Sequence, residues 1–241
     1  MKIGIIITGW VEPELARDFG EYADMIESTL APAGQFEFEC YQAINQQLPP
    51  TLHTCQGYII TGSVQDAFGD QAWIHALMAW IVDCEQAKVP LVGLCFGHQI
   101  ICRALGGHVE RSQHGWGLGV SQNRYLASAQ ATASNALPAQ GVNDNNTLNI
   151  LSCHQDQVTE IPQGFEVLAA SDFCPYYFLR KDQHVLTIQG HPEFSLDFMA
   201  QVLELKKPHL NKAVYRNAKH SLTQRVDSAE FMTIIRQFLQ R

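Results

Sequence analysis

A cysteine held between two glycines is the part of this chain best suited to chemistry. In the run Val92-Gly93-Leu94-Cys95-Phe96-Gly97-His98-Gln99, β-forming residues stop at Cys95 and a helical pattern starts directly after it. Glycines two positions to either side, Gly93 and Gly97, are what a sharp strand-to-helix turn needs, because a side chain there meets the neighbouring backbone. Such a turn pushes the central side chain out at the tip of a sheet, under the positive end of the next helix. A thiol so placed has its thiolate stabilised and acts as a nucleophile. Further along, His191-Pro192-Glu193 supplies an imidazole and a carboxylate two residues apart. Pro192 disfavours the helical region for His191, so the tripeptide is expected to be extended, with both side chains on one side of the chain. His191 can then take the thiol proton and return one to a leaving amine, while Glu193 orients the ring and stabilises its charged form. Each signal alone has a plainer explanation: a small buried hydrophobe for Cys95, and a surface turn with a solvated glutamate for His191 to Glu193. Together, each after its own strand, they predict a nucleophile and its base.

The elements that must position these residues alternate in the first half of the chain. Residues 2–8 form a β-branched run ending at Gly9, as expected for a strand buried on both faces. A helix is expected over 22–30, strands over 36–41 and 57–61, and a helix over 73–87. Residues 89–94 form the cysteine strand, and 97–105 its helix, closed by Gly106-Gly107. This β-α-β-α order implies a mostly parallel sheet with helices on both faces. In the second half, short strands are expected over 117–125, 148–153, 165–171, 176–180 and 185–189, then a helix over 196–205. Open α/β sheets place their sites at the C-terminal ends of such strands. The polar stretch 127–146 reads as a short helix plus loop on the surface. No repeat or linker is apparent, so one domain over 1–205 with a helical extension over 206–241 is expected.

Composition narrows the class. The 241 residues suffice for one sizeable core, and a formal charge of −8 argues against nucleic acid as a partner. Seven scattered cysteines with no C-x-x-C pair suit a reducing compartment, and no stretch reaches membrane-spanning length. The apolar run at residues 3–7 is too short for a signal peptide core, so a cytoplasmic protein is expected. Cys95 and His98 form C-x-x-H, but no second pair has zinc spacing, so no metal or cofactor is expected. Residues 206–225 hold six of the sixteen Lys and Arg and no carboxylate, which reads first as a solvated helical face and second as a dock for an anionic group.

The segments Gly93 to Gln99 and Gly190 to Glu193, with Thr61-Gly62-Ser63 upstream and Ser152-Cys153-His154-Gln155-Asp156 between, resemble the class I, triad-type glutamine amidotransferase family. Within it, the chain is similar to GMP synthase glutaminases and stand-alone GMP-synthase-like proteins, some of them γ-glutamyl peptidases. The resemblance runs from Met1 to about Glu204, with the motifs in the family's order. It implies a flavodoxin-like three-layer α/β fold, with Cys95 as nucleophile, His191 as base and Glu193 as its partner. It also implies an oxyanion hole of the Phe96 and Gly62 backbone N–H groups, a substrate contact from Gln99, and a head-group loop over Cys153, His154, Gln155 and Asp156. Many members carry Gly-Gly-Pro or Gly-Pro-Gly at the glycine turn, where this chain has Gly62-Ser63-Val64.

The activity implied is attack on a γ-glutamyl amide through a Cys95 thioester, with free glutamine as substrate and ammonia as product. No Ser-Gly-Gly phosphate loop of an ATP pyrophosphatase follows, so any ammonia is expected to pass to a separate synthetase partner or to water. A γ-glutamyl peptide such as glutathione is the alternative substrate, and the missing synthetase domain and the Gly62-Ser63 turn lean toward it. A non-catalytic binding module on the same fold is the reading from another class. It gives no physical reason to keep Cys95, His191 and Glu193 together.

Overall fold

The apolar runs of the first half become inner strands, as burial on both faces requires. The computed structural model describes residues 1–30, 35–126 and 146–241. In it β1 (Lys2–Ile7) is buried from Ile3 to Ile7, and β3 (Gly57–Ile60) and β4 (Leu91–Leu94) are buried throughout. β2 (Glu37–Gln42) pairs with the outer side of β1, and β1, β3 and β4 run parallel. β11 (Val185–Ile188) joins β4, also in parallel, with Ile188 opposite Leu94. That register decides the position of the chemistry. Cys95, one residue past β4, and the Gln189 to Glu193 segment, just past β11, leave the sheet side by side.

The second half contributes β6 (Gly117–Tyr125), β7 (Thr147–His154), β9 (Phe165–Ala170) and β10 (Phe178–Lys181), each antiparallel to its neighbours. Among the described residues this gives a nine-stranded sheet in the order β2-β1-β3-β4-β11-β10-β9-β6-β7. A separate antiparallel pair, β5 (His108–Arg111) with β8 (Asp156–Glu160), stands beside it. The stretch 127–146 lies outside the described residues except for Asn146.

Helices α2 (Tyr22–Leu30) and α7 (Ser228–Leu239) cover one face, with Ile26, Leu30, Phe231 and Ile235 against Ile3, Ile5, Val92 and Leu94. Helices α3 (Ala72–Gln86) and α4 (Phe96–Ala104) cover the other, with Leu77, Ile81, Ile100 and Ile101 against Ile6, Ile60 and Leu91. This is the expected three-layer α/β arrangement. The segment 206–241 ends in α7, which is built into a layer of the core: Phe231 meets Phe178 edge-on at 4.9 Å. Its apolar residues Phe231, Ile234, Ile235 and Phe238 recur at helical spacing and need a partner. The helices α1 (Pro13–Phe19), α5 (Leu196–Lys206) and α6 (Lys212–Ser221) form a further cluster around Leu15, Phe198, Leu203 and Ala218.

Candidate active site

The turn at Cys95 has the conformation that the glycine spacing requires. Cys95 has φ 51° and ψ −100°, a backbone region that costs a non-glycine residue about 1–3 kcal/mol. The surrounding bonds hold it there. Its N–H donates to the Ile188 carbonyl at 2.9 Å, and its carbonyl accepts from the Gln99 N–H at 3.1 Å. A Cβ at Gly93 would lie 2.6 Å from the Gly97 carbonyl carbon, and one at Gly97 would run into the Ile60 carbonyl. The two glycines therefore let α4 pack directly on β3 and β4, with Cys95 buried at its N-terminus.

His191 arrives from β11, its N–H donating to the Leu151 carbonyl at 2.7 Å. The segment that follows differs from the extended form expected of it. The Phe194 N–H donates back to the His191 carbonyl at 3.3 Å, closing a turn over Pro192 and Glu193. Proline at the second position of a turn is compatible with this, because its fixed φ suits that place. The turn still joins the two side chains: His191 Nδ1 and Glu193 Oε1 are 2.7 Å apart, and the Glu193 side chain is fully buried. Phe194 stacks on the imidazole at 4.0 Å and 8°, and Tyr22 stacks in turn on Phe194 at 6.1 Å. On another side of the ring, a Cβ at Gly62 would be 2.7 Å from His191 Cε1, so only glycine leaves room for it there. Burial opposes the charged imidazole, but the Cys95 sulfur and the Glu193 carboxylate outweigh it and raise His191 well above its ordinary value. With Nδ1 committed to Glu193, Nε2 is left for the sulfur. A thiol, an imidazole and a carboxylate in this order can transfer a proton and stabilise the resulting ion pair.

The backbone donors expected near the reacting centre are also braced. Phe96 opens α4, so its N–H belongs to the first turn, whose amides no helical carbonyl receives. The Thr61 carbonyl accepts from the Gly97 N–H at 3.2 Å and from Thr8 Oγ1 at 3.0 Å, which fixes the peptide plane that carries the Gly62 N–H. Thr8 Oγ1 and Thr61 Oγ1 reach the Gly62 carbonyl at 3.0 Å each, and Ser63 Oγ donates to the Thr8 carbonyl at 2.7 Å. Hydroxyls thus stiffen a turn that has no proline.

Gln189 was not singled out by the sequence. It is fully buried, and its Nε2 donates to Cys95 Sγ at 3.6 Å. Its Oε1 accepts from Gln99 Nε2 at 3.2 Å, and the same nitrogen donates to the Asp156 carbonyl at 2.7 Å. Gln99, expected as a substrate contact, therefore has its amide nitrogen engaged in bracing Gln189 and the Asp156 loop. His154 does similar work: its Nδ1–H donates to the Asp156 carbonyl at 3.0 Å, and burial pulls its pKa down to about 4, so it is neutral at pH 7. Arg111 Nε lies 2.6 Å from Asp156 Oδ1, and its Nη2 is 2.9 Å from Asp66 Oδ1. Neither Arg111 nor Asp66 carries a motif that marks it in the sequence.

These groups surround a cavity of about 700 Å³. Cys95, His191, Gln99, Cys153, His154, Gln155 and Asp156 all line it, while Gly62, Phe96 and Glu193 sit behind that wall. Its rim includes Trp10, 42% exposed, and Leu205, 37% exposed. His98 of the C-x-x-H pair points elsewhere, with Nδ1 2.9 Å from Thr187 Oγ1. Among the described residues no cluster of three or more His, Cys, Asp or Glu could hold a metal. No helix among them is long and apolar enough to cross a membrane.

The same fold occurs in known proteins. A glutamine amidotransferase from Methylobacillus flagellatus superposes with a TM-score of 0.73 over 100% of this chain and 96% of its own, at 19% identity. Among sequences, the chain is 28% identical to γ-glutamyl peptidase 2 of Arabidopsis thaliana, over 85% of this chain and 81% of that protein. It is 31% identical to γ-glutamyl peptidase 5 of the same plant, over 77% and 73%. The family described as glutamine amidotransferase class-I matches residues 15–206, from α1 to the end of α5. A mixed α/β sheet with this match across most of its length assigns the lineage: the chain belongs to the class I glutamine amidotransferase family.

Proposed function

We propose that this protein hydrolyses γ-glutamyl amides by covalent catalysis at Cys95. The observation that carries the reading is the meeting, on one cavity wall, of the strained Cys95 with a His191 already paired to Glu193. The Cys95 sulfur attacks the γ-carbonyl carbon, and the thiol proton goes to His191 Nε2. The carbonyl oxygen takes the negative charge and is held by the Phe96 and Gly62 N–H groups. As the C–N bond breaks, His191 returns the proton to the departing amine, leaving a γ-glutamyl thioester. Water, deprotonated by His191, then attacks the thioester and releases glutamate and the Cys95 thiol. The two carboxylates of Asp66 and Asp156 share one guanidinium, Arg111, so that end of the cavity has a surplus negative charge suited to the α-ammonium of a glutamyl head.

A γ-glutamyl peptide is the substrate class favoured here. The relatives named γ-glutamyl peptidase support it, as does a cavity larger than free glutamine requires. Membership of an amidotransferase family supports a second reading, in which free glutamine is opened and a synthetase partner takes the ammonia. The test is hydrolysis of glutamine and of glutathione by the purified protein, with Cys95→Ala as blank. The expected result is Cys95-dependent release of cysteinylglycine and glutamate, with little ammonia from glutamine. Ammonia release with glutathione untouched supports the amidotransferase reading, and wild-type turnover by Cys95→Ala contradicts both.

A further inference from the structure

Two residues of the basic segment, Lys206 and His209, line the cavity around Cys95, and Lys206 is the one of them that carries a permanent charge. Several of its basic neighbours are paired: Lys207 and Lys219 reach Glu204, and Arg225 reaches Glu230. Lys206 has no carboxylate partner among the described residues. Instead its Nζ lies over the Trp116 ring, 4.6 Å from the centroid. It is half-buried at the last turn of α5, where the helix C-terminus favours a cation. Its charge is felt inside the site, since it acts against the burial that raises the neighbouring Cys153 thiol. The charges that dominate Asp66 and Arg111 are each other and Asp156. The cavity therefore carries an acidic station at Asp66 and Asp156, bridged by Arg111, and a cationic one at Lys206, with Glu12, Glu14 and Cys95 also on its lining.

Free glutamine carries its ammonium and carboxylate on one carbon and presents only an uncharged NH2 group beyond the scissile bond. It offers nothing to a second, cationic station. A γ-glutamyl dipeptide has a further carboxylate on the leaving amino acid. The apolar surfaces beside Lys206, namely Leu205, Trp116 and Trp10, suit an apolar side chain on that residue. We propose that Lys206, held over Trp116, is a specificity-determining residue that binds the carboxylate of the leaving group, selecting γ-glutamyl dipeptides with an apolar second residue. This rests on the γ-glutamyl hydrolase reading given above. The aromatic platform fixes the long side chain and partly desolvates the ammonium, which strengthens its hydrogen bonds to a carboxylate.

The test measures kcat/KM on γ-glutamylphenylalanine and on its C-terminal amide, which keeps the scissile bond and side chain but loses the charge. Wild type is expected to favour the acid by about tenfold or more, in line with one charge-assisted contact. Lys206→Gln is expected to bring the acid-to-amide ratio toward one, chiefly through KM, and Lys206→Arg to restore most of it. A wild-type ratio near one overturns the proposal, and so does a Lys206→Gln ratio equal to that of wild type. Equal losses on acid, amide and glutamine would assign Lys206 to the glutamyl head instead and also overturn it. If wild type cleaves none of the three substrates above the Cys95→Ala blank, the hydrolase reading itself fails and the proposal with it.

Discussion

At the scale of single residues, the site works through pairs that restrict each other. His191 is fixed by Phe194 on its face, Gly62 beside Cε1 and Glu193 at Nδ1, so its free nitrogen has one direction. Glu193 also raises the imidazole pKa, and that has a measurable sign. In the proposed mechanism the protonated ring expels the amine, so the alkaline limb of kcat/KM is expected to follow the raised His191 value. In Glu193→Gln the carboxylate charge is gone, the pKa falls, and the alkaline limb is expected at lower pH than in wild type. A pH–rate profile checks this, and an unmoved limb would separate Glu193 from His191. Gln189 makes the second pair, its amide N–H directed at the Cys95 sulfur. Gln189→Leu is expected to lower kcat by about 10- to 100-fold, the equivalent of one hydrogen bond to a charged group.

At the scale of elements, the elbow stores strain for the position of one sulfur. Cys95 sits at positive φ, where any side chain is disfavoured and glycine is not. Cys95→Gly is therefore expected to be more stable than Cys95→Ala by about 1 kcal/mol, despite the flexibility glycine adds to the unfolded chain. Urea unfolding of the two variants decides it, and equal midpoints would mean the turn is unstrained. What the sequence revealed follows the same division between local and distant. The elbow was legible because its glycines act on their immediate neighbours, and the inner strands because burial on both faces leaves continuous apolar runs. The pair β5 and β8 was not, since His108–Arg111 and Asp156–Glu160 are short and polar, and only Val109 and Val158 enter the core. Helix α1 was missed for a similar reason: of seven residues, Leu15 alone is buried. The joining of His191 to Glu193 was anticipated, but a turn rather than an extended strand brings it about.

At the scale of the whole molecule, the site is an outcome of sheet order. Gln189 meets Gln99 and Cys95 across about ninety residues of chain, because β4 and β11 are neighbours. Arg111 gathers Asp66 and Asp156 from 45 residues away on either side. No spacing rule along the chain marks such residues, which is why the structure was needed to find them. The basic segment, read from sequence as a solvated face, places Lys207, Lys219 and Arg225 in surface ion pairs and Lys206 with His209 on the cavity. The family resemblance, in contrast, was legible from four short motifs, and the match over residues 15–206 agrees with it.

Covalent attachment of the γ-glutamyl group to Cys95 is the step on which the proposed mechanism turns. The most direct measurement is acid quenching of the protein during turnover of γ-glutamylphenylalanine, followed by intact-mass and peptide mass spectrometry. A γ-glutamyl adduct confined to the Cys95 peptide and absent from Cys95→Ala is expected. Turnover with no adduct on Cys95, or with an adduct on another residue, would contradict it.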